Sequence, residues 1–176
     1  MEEEYREPGS VKGVSFKWGI IGGIAFIALG LVFQAVDLAG ESWTGYVNLL
    51  PLIGVLFLAH NEYKSTGDGY MNYGQGLGIG TLVCLIASVV SSIFSYIYIS
   101  FVDDSLIGKM KEQAYEEWDK QGLSGATLDQ AEKMLDFFAN PTFIAIAGIF
   151  SGVFFGFLIT LIVSAITKET RPPMNY

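Results

Sequence analysis

The composition of this 176-residue chain is typical of a membrane protein rather than of a soluble domain. Apolar residues make up 51% of it and charged residues only 16%, whereas soluble domains carry about 25% charged residues. The net charge of −8 disfavours nucleic acid as a partner, and the single cysteine excludes a disulfide within the chain.

Four apolar stretches follow a polar, acidic tail over residues 1–15. A helix of about 20 residues crosses a hydrocarbon core roughly 30 Å thick. We therefore predict one membrane domain, residues 16–168, with spans at about 16–36, 43–60, 74–101 and 142–167, followed by a second tail at 169–176. Since acidic residues precede the first stretch, we interpret it as a retained span rather than a cleaved signal peptide.

Two local features modify these spans and their connections. Pro51 cannot donate a backbone hydrogen bond, so we expect the second helix to kink near Val47. The charged segment 103–140 predicts two helices separated at Gly122, the second beginning with a capping box formed by Thr127 and Gln130. The expected fold class is therefore an all-α integral membrane protein, with four transmembrane helices and an extracytoplasmic helical hairpin between helices 3 and 4.

The basic residues indicate an orientation. Four of the ten lie within 103–140, and six lie on the side that holds both termini, in the tails, at the adjoining ends of the first and fourth spans or in the loop after the second span: Arg6, Lys12, Lys17, Lys64, Lys168 and Arg171. Because cytoplasmic segments are enriched in Lys and Arg, this bias favours cytoplasmic termini.

Small residues recur every four positions in the third and fourth spans. We predict that these positions form helix-packing faces, because small residues let membrane helices approach closely. The predicted packing residues are Gly76, Gly80, Ser88, Ser92, Gly148, Gly152 and Gly156. They would join the spans within one chain, or they would form a dimer face or a docking groove for a partner.

The sequence predicts no catalytic, metal-binding or cofactor-binding residues. No nucleophile is paired with a base in any recognisable pattern, and His60 is the only histidine. Charged residues are absent from the interiors of the predicted spans, and the deepest amides are Gln34 and Asn48. We expect these two amides to bond each other across the first helical hairpin, with contact to a polar substrate as the alternative.

The chain resembles a known family in its span order and loop lengths from Phe16 to Lys168. The segment Tyr70-Met71-Asn72-Tyr73-Gly74-Gln75-Gly76 leads into the third span, and an acidic helical segment ends at Asn140-Pro141 before the fourth. These features are similar to those of the bacterial inner-membrane proteins of domain-of-unknown-function family 4199. The resemblance implies a multi-pass inner-membrane location and this fold, and it implies no activity and no functional residues.

Three hypotheses about function follow. The first is a non-catalytic accessory or assembly subunit in the lipid bilayer that packs with itself, as a homo-oligomer, or with a larger membrane complex. The second is a small transporter or channel subunit, in which Gln34, Asn48 and Pro51 line a polar path through several assembled copies. A membrane enzyme acting on lipid-linked substrates has the least support, because the carboxylates of segment 103–140 lack a basic partner for phosphate.

Overall fold

The computed structural model describes residues 9–38 and 43–171, and these residues form an all-α structure. Residues 1–8, 39–42 and 172–176, which include most of both predicted tails, lie outside the described part. The helices are α1 (Val11–Ala35), α2 (Thr44–Val47), α3 (Leu49–Thr66), α4 (Tyr73–Phe101), α5 (Ser105–Lys120), α6 (Ala126–Phe138) and α7 (Pro141–Thr167).

Four helical segments are long and apolar enough to cross a membrane. They are α1, the pair α2–α3, α4 and α7. The predicted fold, an all-α membrane protein with four spans, is therefore confirmed. The location of α5 and α6 outside the cytoplasm remains a prediction.

Two helices are longer than the apolar runs that predict them. α1 begins at Val11, where the Ser10 hydroxyl accepts a hydrogen bond from the Gly13 amide at 3.1 Å. Its first turns are not a free tail, because Val14 and Ser15 are buried in the bundle. α3 continues to Thr66 rather than ending at residue 60.

The second span is interrupted where the proline predicts. α2 ends at Val47, Asn48 separates it from α3, and Pro51 lies in the first turn of α3. Since Pro51 cannot donate to the carbonyl of Val47, the helical ladder cannot continue through this point.

α4 lies at the centre of the bundle and packs along both α1 and α7. The apolar core is concentrated at the end of the bundle where α1 and α4 begin and α3 and α7 finish; we call this the closed end. Leu56, Ala59, Tyr63, Met71 and Ile79 are almost fully buried there. The opposite end, which carries α2, α5 and α6, is called the open end.

Two backbone hydrogen bonds complete the closed end. The Met71 amide donates to the Glu169 carbonyl at 2.9 Å, and the Glu169 amide donates to the Met71 carbonyl at 2.8 Å. These bonds fasten the segment after α7 to the turn between α3 and α4, so the last described residues are held against the bundle.

At the open end, α5 and α6 contain no buried residue. Gly122, with φ of 67°, ends α5 in the left-handed region, as its sequence position predicts. The predicted capping box at Thr127 and Gln130 is wrong: α6 starts at Ala126 after Gly125, without a side-chain cap. Thr127 therefore lies in the first turn, two positions after the N-cap Gly125, and its hydroxyl cannot act as the cap.

Candidate functional site

The small residues of α4 and α7 face one another within the chain. Each predicted glycine of one helix lies opposite a small polar residue or cysteine of the other. The facing pairs are Gly76 with Ser164, Gly80 with Thr160, Gly156 with Cys84, Gly152 with Ser88, and Gly148 with Ser92. We call this row the α4–α7 seam. A Cβ atom on Gly156 would lie 2.5 Å from Cys84 Sγ, so the two backbones approach too closely for a larger residue.

α1 also packs closely against α4 through glycines, on the other side of α4. A Cβ on Gly19 would lie 2.6 Å from Ile86 Cβ, and one on Gly23 would lie 2.8 Å from Val90 Cβ. Glycines of α1 thus contact branched side chains of α4. Between α4 and α7, glycines of each helix instead contact hydroxyl or thiol groups of the other. Both faces of α4 are therefore occupied by helices of the same chain.

His60 is completely buried at the closed end, where α3, α4 and α7 meet. Its Nε2 lies 2.9 Å from the carbonyl oxygen of Gly76, and its Nδ1 lies 2.7 Å from Thr167 Oγ1. Because a carbonyl can only accept, Nε2 must carry a proton. One imidazole thus links three helices, a role that the isolated position of this histidine in the sequence does not reveal.

The Thr167 hydroxyl has two neighbours that compete for its single proton. Its Oγ1 lies 2.8 Å from the Val163 carbonyl oxygen as well as near His60 Nδ1. With a neutral imidazole, the hydroxyl donates either to Nδ1 or to Val163; only a doubly protonated imidazole makes both contacts hydrogen bonds at once. The neighbouring hydroxyl of Ser164 is buried without a hydrogen-bond partner.

Ion pairs surround this buried cluster. Lys17 Nζ lies 2.7 Å from Glu62 Oε2, which also accepts from Trp18 Nε1 at 2.9 Å, and Lys64 Nζ lies 3.1 Å from Glu169 Oε2. These contacts connect the start of α1 to α3, and α3 to the segment after α7.

Asp68, in the turn before α4, supplies a further link to this segment. It pairs with Arg171, and its carboxyl pKa is lowered first by the Tyr70 backbone amide and then by Arg171. The charges at the closed end therefore hold distant segments of the chain together.

A cleft of about 670 Å³ opens on the side of the bundle within the depth of the spans. We call it the lateral cleft. α2 and the start of α3 form one side of it, α7 forms the other, and the α4–α7 seam lies at its base. Most of its lining is apolar, including Leu49, Leu52, Phe155 and Ile159, with the amide of Asn48 at its edge. The first turns of α3, residues 49–54, contain no buried residue, whereas the rest of the helix buries one face that includes Leu56 and Ala59, and this difference leaves the space open.

Gln34 and Asn48 do not bond each other, so that prediction is wrong. Gln34 Nε2 donates to Asp103 Oδ2 at 2.6 Å and to Ser105 Oγ at 3.1 Å. Asn48 Nδ2 donates to the Thr44 carbonyl within its own helical segment, at 3.2 Å. The charged residues just after α4 offer Gln34 a stronger acceptor than a second amide would.

The described residues hold no group of three or more His, Cys, Asp or Glu side chains placed to bind a metal ion. The carboxylates of α5 and α6 are exposed, apart from the half-buried Glu132. Lys111 on α5 pairs with Asp136 on α6 at 2.7 Å, and this hydrogen bond is the main reason that the pKa of Lys111 is raised. The Lys111–Asp136 pair therefore connects α5 to α6.

Comparison with known proteins identifies the family and nothing more specific. No curated protein and no solved structure matches the chain. Residues 17–169 match the family model described as "Protein of unknown function (DUF4199)". This match covers the four long apolar segments almost completely. The chain therefore belongs to the DUF4199 family.

Proposed function

We propose that this protein is a non-catalytic accessory protein that docks an apolar part of another membrane protein in the lateral cleft. The observation that carries the proposal is the cleft itself, about 670 Å³ of mostly apolar space opening sideways from the bundle. Its size lies in the range of about 300–1,000 Å³ that is usual for binding pockets.

Because the residues of the α4–α7 seam already contact each other, we expect a partner to bind at the cleft instead. The sequence offers the small-residue ladders as a possible interface, yet their residues contact each other within one chain. A partner helix therefore finds no free glycine face along the seam. The lateral cleft lies beside it and is lined by the exposed side chains of Phe155 and Leu158.

One polar group at the cleft supports recognition of a protein segment. Asn48 donates through Nδ2 to Thr44, and no described contact uses its Oδ1. An amide oxygen at membrane depth accepts hydrogen bonds from a partner's Ser, Thr or Asn side chain, as polar residues commonly do between membrane helices. The cleft thus combines a large apolar surface with one acceptor that fixes orientation.

Site-specific photocrosslinking tests this proposal with a matched control on the same helix. Phe155 lines the cleft, whereas its neighbour Phe154 does not, and their exposed fractions are 60% and 59%. Benzoylphenylalanine at position 155, in the full chain in native membranes, should yield a defined adduct with one other membrane protein. The same group at 154 should yield none. Adducts with lipid alone at 155, or the same protein adducts at both positions, would contradict docking in the cleft.

A small transporter or channel subunit remains the alternative, and it has less support. That hypothesis uses Gln34 and Asn48 as parts of one polar path, but the two amides bond to different segments and line different cavities. Solute flux through proteoliposomes that is lost on replacing both amides by leucine would favour it.

We also propose that the protein lies in a bacterial inner membrane with cytoplasmic termini. The family resemblance supports the membrane, and the excess of basic residues on the side of the termini supports the orientation. Labelling of Lys111 in α5 by an impermeant amine reagent on intact spheroplasts tests the orientation. No labelling until the membrane is opened would reverse it.

A further inference from the structure

A second cavity lies at the open end, away from the lateral cleft. It has a volume of about 200 Å³, and we call it the end pocket. Its lining residues are Gln34, Asp37, Asp103, Ser105, Leu106 and Lys109. The pocket lies between the last turns of α1 and the beginning of α5, immediately after the membrane-length helix α4 ends. Lipid headgroups occupy this level of a bilayer.

An apolar groove of about 230 Å³ continues from this pocket toward the interior of the membrane. The two cavities share Gln34 and Leu106, and the groove runs between α1 and α4 past Gly30 and Phe94. Phe33, which lines the groove, contacts Trp43 with the ring centroids 6.1 Å apart. A polar pocket joined to an apolar groove matches an amphiphilic ligand rather than a water-soluble one.

Asp103 supplies the charge that selects such a ligand. Its carboxylate accepts hydrogen bonds from the Ser105 amide at 2.9 Å and from Gln34, and both donors are neutral. Among the described ion pairs none includes Asp103, whereas Lys109 in the same pocket pairs with Asp37. The Ser105 amide, the Ser105 hydroxyl, Gln34 and, last, the charge of Lys109 lower the pKa of Asp103, so the carboxylate is charged at neutral pH. The end pocket therefore presents one carboxylate that forms no described ion pair, although the charge of Lys109 acts on it.

We propose that the end pocket binds the headgroup of an amine-bearing phospholipid, with the ammonium at Asp103 and one acyl chain in the apolar groove. A primary ammonium both neutralises the carboxylate and donates hydrogen bonds to it, which makes this contact stronger than one between neutral groups. The proposal concerns a different face from the lateral cleft and does not depend on the accessory function.

Native mass spectrometry of the full chain in mild detergent tests this proposal. The protein is offered equal amounts of phosphatidylethanolamine and phosphatidylglycerol, which differ in the presence of the ammonium group. The unaltered protein should retain phosphatidylethanolamine about tenfold more strongly, the difference expected for one charge-assisted hydrogen bond. Equal retention of the two lipids would overturn the proposal.

A pair of adjacent aspartates provides the matched variants. Asp103→Asn removes the charge that faces the pocket, whereas Asp104→Asn removes the same charge from a residue outside the pocket whose side chain makes no capping bond. The preference for phosphatidylethanolamine should disappear in D103N and persist in D104N. Equal behaviour of the two variants, whether both lose the preference or both keep it, would contradict the role of Asp103.

Substitutions in the apolar groove test the position of the acyl chain independently of Asp103, and they apply even if D103N does not fold. A Cβ on Gly30, in the groove, or on Gly54, outside both cavities, meets no atom within 4 Å. Gly30→Leu therefore fills the groove without a clash, and Gly54→Leu is its control. Phosphatidylethanolamine should be lost from G30L and kept by G54L. Full retention by G30L would show that no chain occupies the groove.

Discussion

The two ends of the bundle are built in opposite ways. At the closed end His60, Tyr63 and Met71 are almost fully buried, and backbone and ionic contacts join the start of α1, the end of α3 and the segment after α7. At the open end α5 and α6 bury no residue, and the two cavities open around α2 and α5. The difference teaches that the contacts that hold the helices together are concentrated at the closed end, whereas the surfaces available for binding lie toward the open end.

The small residues explain how both ends belong to one rigid bundle. α4 meets α7 along glycines opposite hydroxyl groups, and it meets α1 along glycines opposite Ile86 and Val90. Without a hydrophobic driving force between helices in lipid, close packing of this kind is a main source of stability. The loosely packed first turns of α3 are tolerated because the rest of the bundle is already fixed.

The largest expected effect is at the α4–α7 seam. Gly80→Leu places a side chain against Thr160, whereas a Cβ on Gly78, two residues away on the same helix, meets no atom within 4 Å, which makes Gly78→Leu the control. We expect G80L to lose about 1–3 kcal/mol or more of stability, as overpacked positions do, and G78L to lose little. Thermal unfolding in detergent, followed by size-exclusion chromatography, measures both variants. Equal stability of G80L and G78L would show that the helices do not pack through this face.

A somewhat smaller loss is expected at His60. Replacing it by alanine leaves the Gly76 carbonyl without its side-chain partner in a buried place, whereas the Thr167 hydroxyl still donates to the Val163 carbonyl. An unsatisfied buried group costs about 1–3 kcal/mol. Asn61→Ala, at the exposed next position of α3, is the control and should be nearly neutral. A comparison of chemical unfolding midpoints checks this, and two equal midpoints would mean that the imidazole does not join the three helices.

The smallest effect is expected at the open end. Lys111→Gln breaks the exposed pair with Asp136, and exposed ion pairs contribute little to stability because water and salt screen them. Overall stability should stay unchanged, while hydrogen exchange in α6 becomes faster. A drop in overall stability as large as that of the His60 variant would remove the contrast between the two ends.

The same pair has a defined pH dependence. Because the folded pKa of Lys111 is raised above its ordinary value of 10.5, the contribution of the pair is complete below that value. It is lost as the pH rises through the higher, folded pKa. Hydrogen exchange in α6, corrected for its intrinsic pH dependence, should therefore show constant protection around neutrality. A change in that protection near neutral pH would indicate a different titrating group.

Hydropathy and residue spacing predict those features that depend on one helix at a time. The four spans, the interruption near Pro51 and the end of α5 at Gly122 follow from local sequence. The contacts of His60 and Gln34 do not. His60 reaches Thr167, 107 residues away, and Gln34 reaches Asp103, 69 residues away. Neither periodicity nor composition specifies how deep a helix end lies or which distant carboxylate approaches it.

The lateral cleft could not be predicted for a related reason. It results from a difference in packing along α3, between its unburied first turns and the buried stretch that starts at Val55. Leucine occurs in both halves, so the sequence pattern does not distinguish them. The ladder of small residues, in contrast, could be recognised, but it left open whether the facing helix belonged to the same chain.

Disulfide crosslinking across the α4–α7 seam tests most directly whether the seam is internal to one chain. A Cβ on Gly148 lies 3.0 Å from Ser92 Oγ, so the variant S92C/G148C, with Cys84 replaced by alanine, places two thiols within bonding reach. Oxidation in native membranes should give a disulfide within the monomer, and either single-cysteine variant should stay monomeric. A dimer linked through position 148 or 92, without an internal disulfide, would contradict the account and make the small residues an interface between copies.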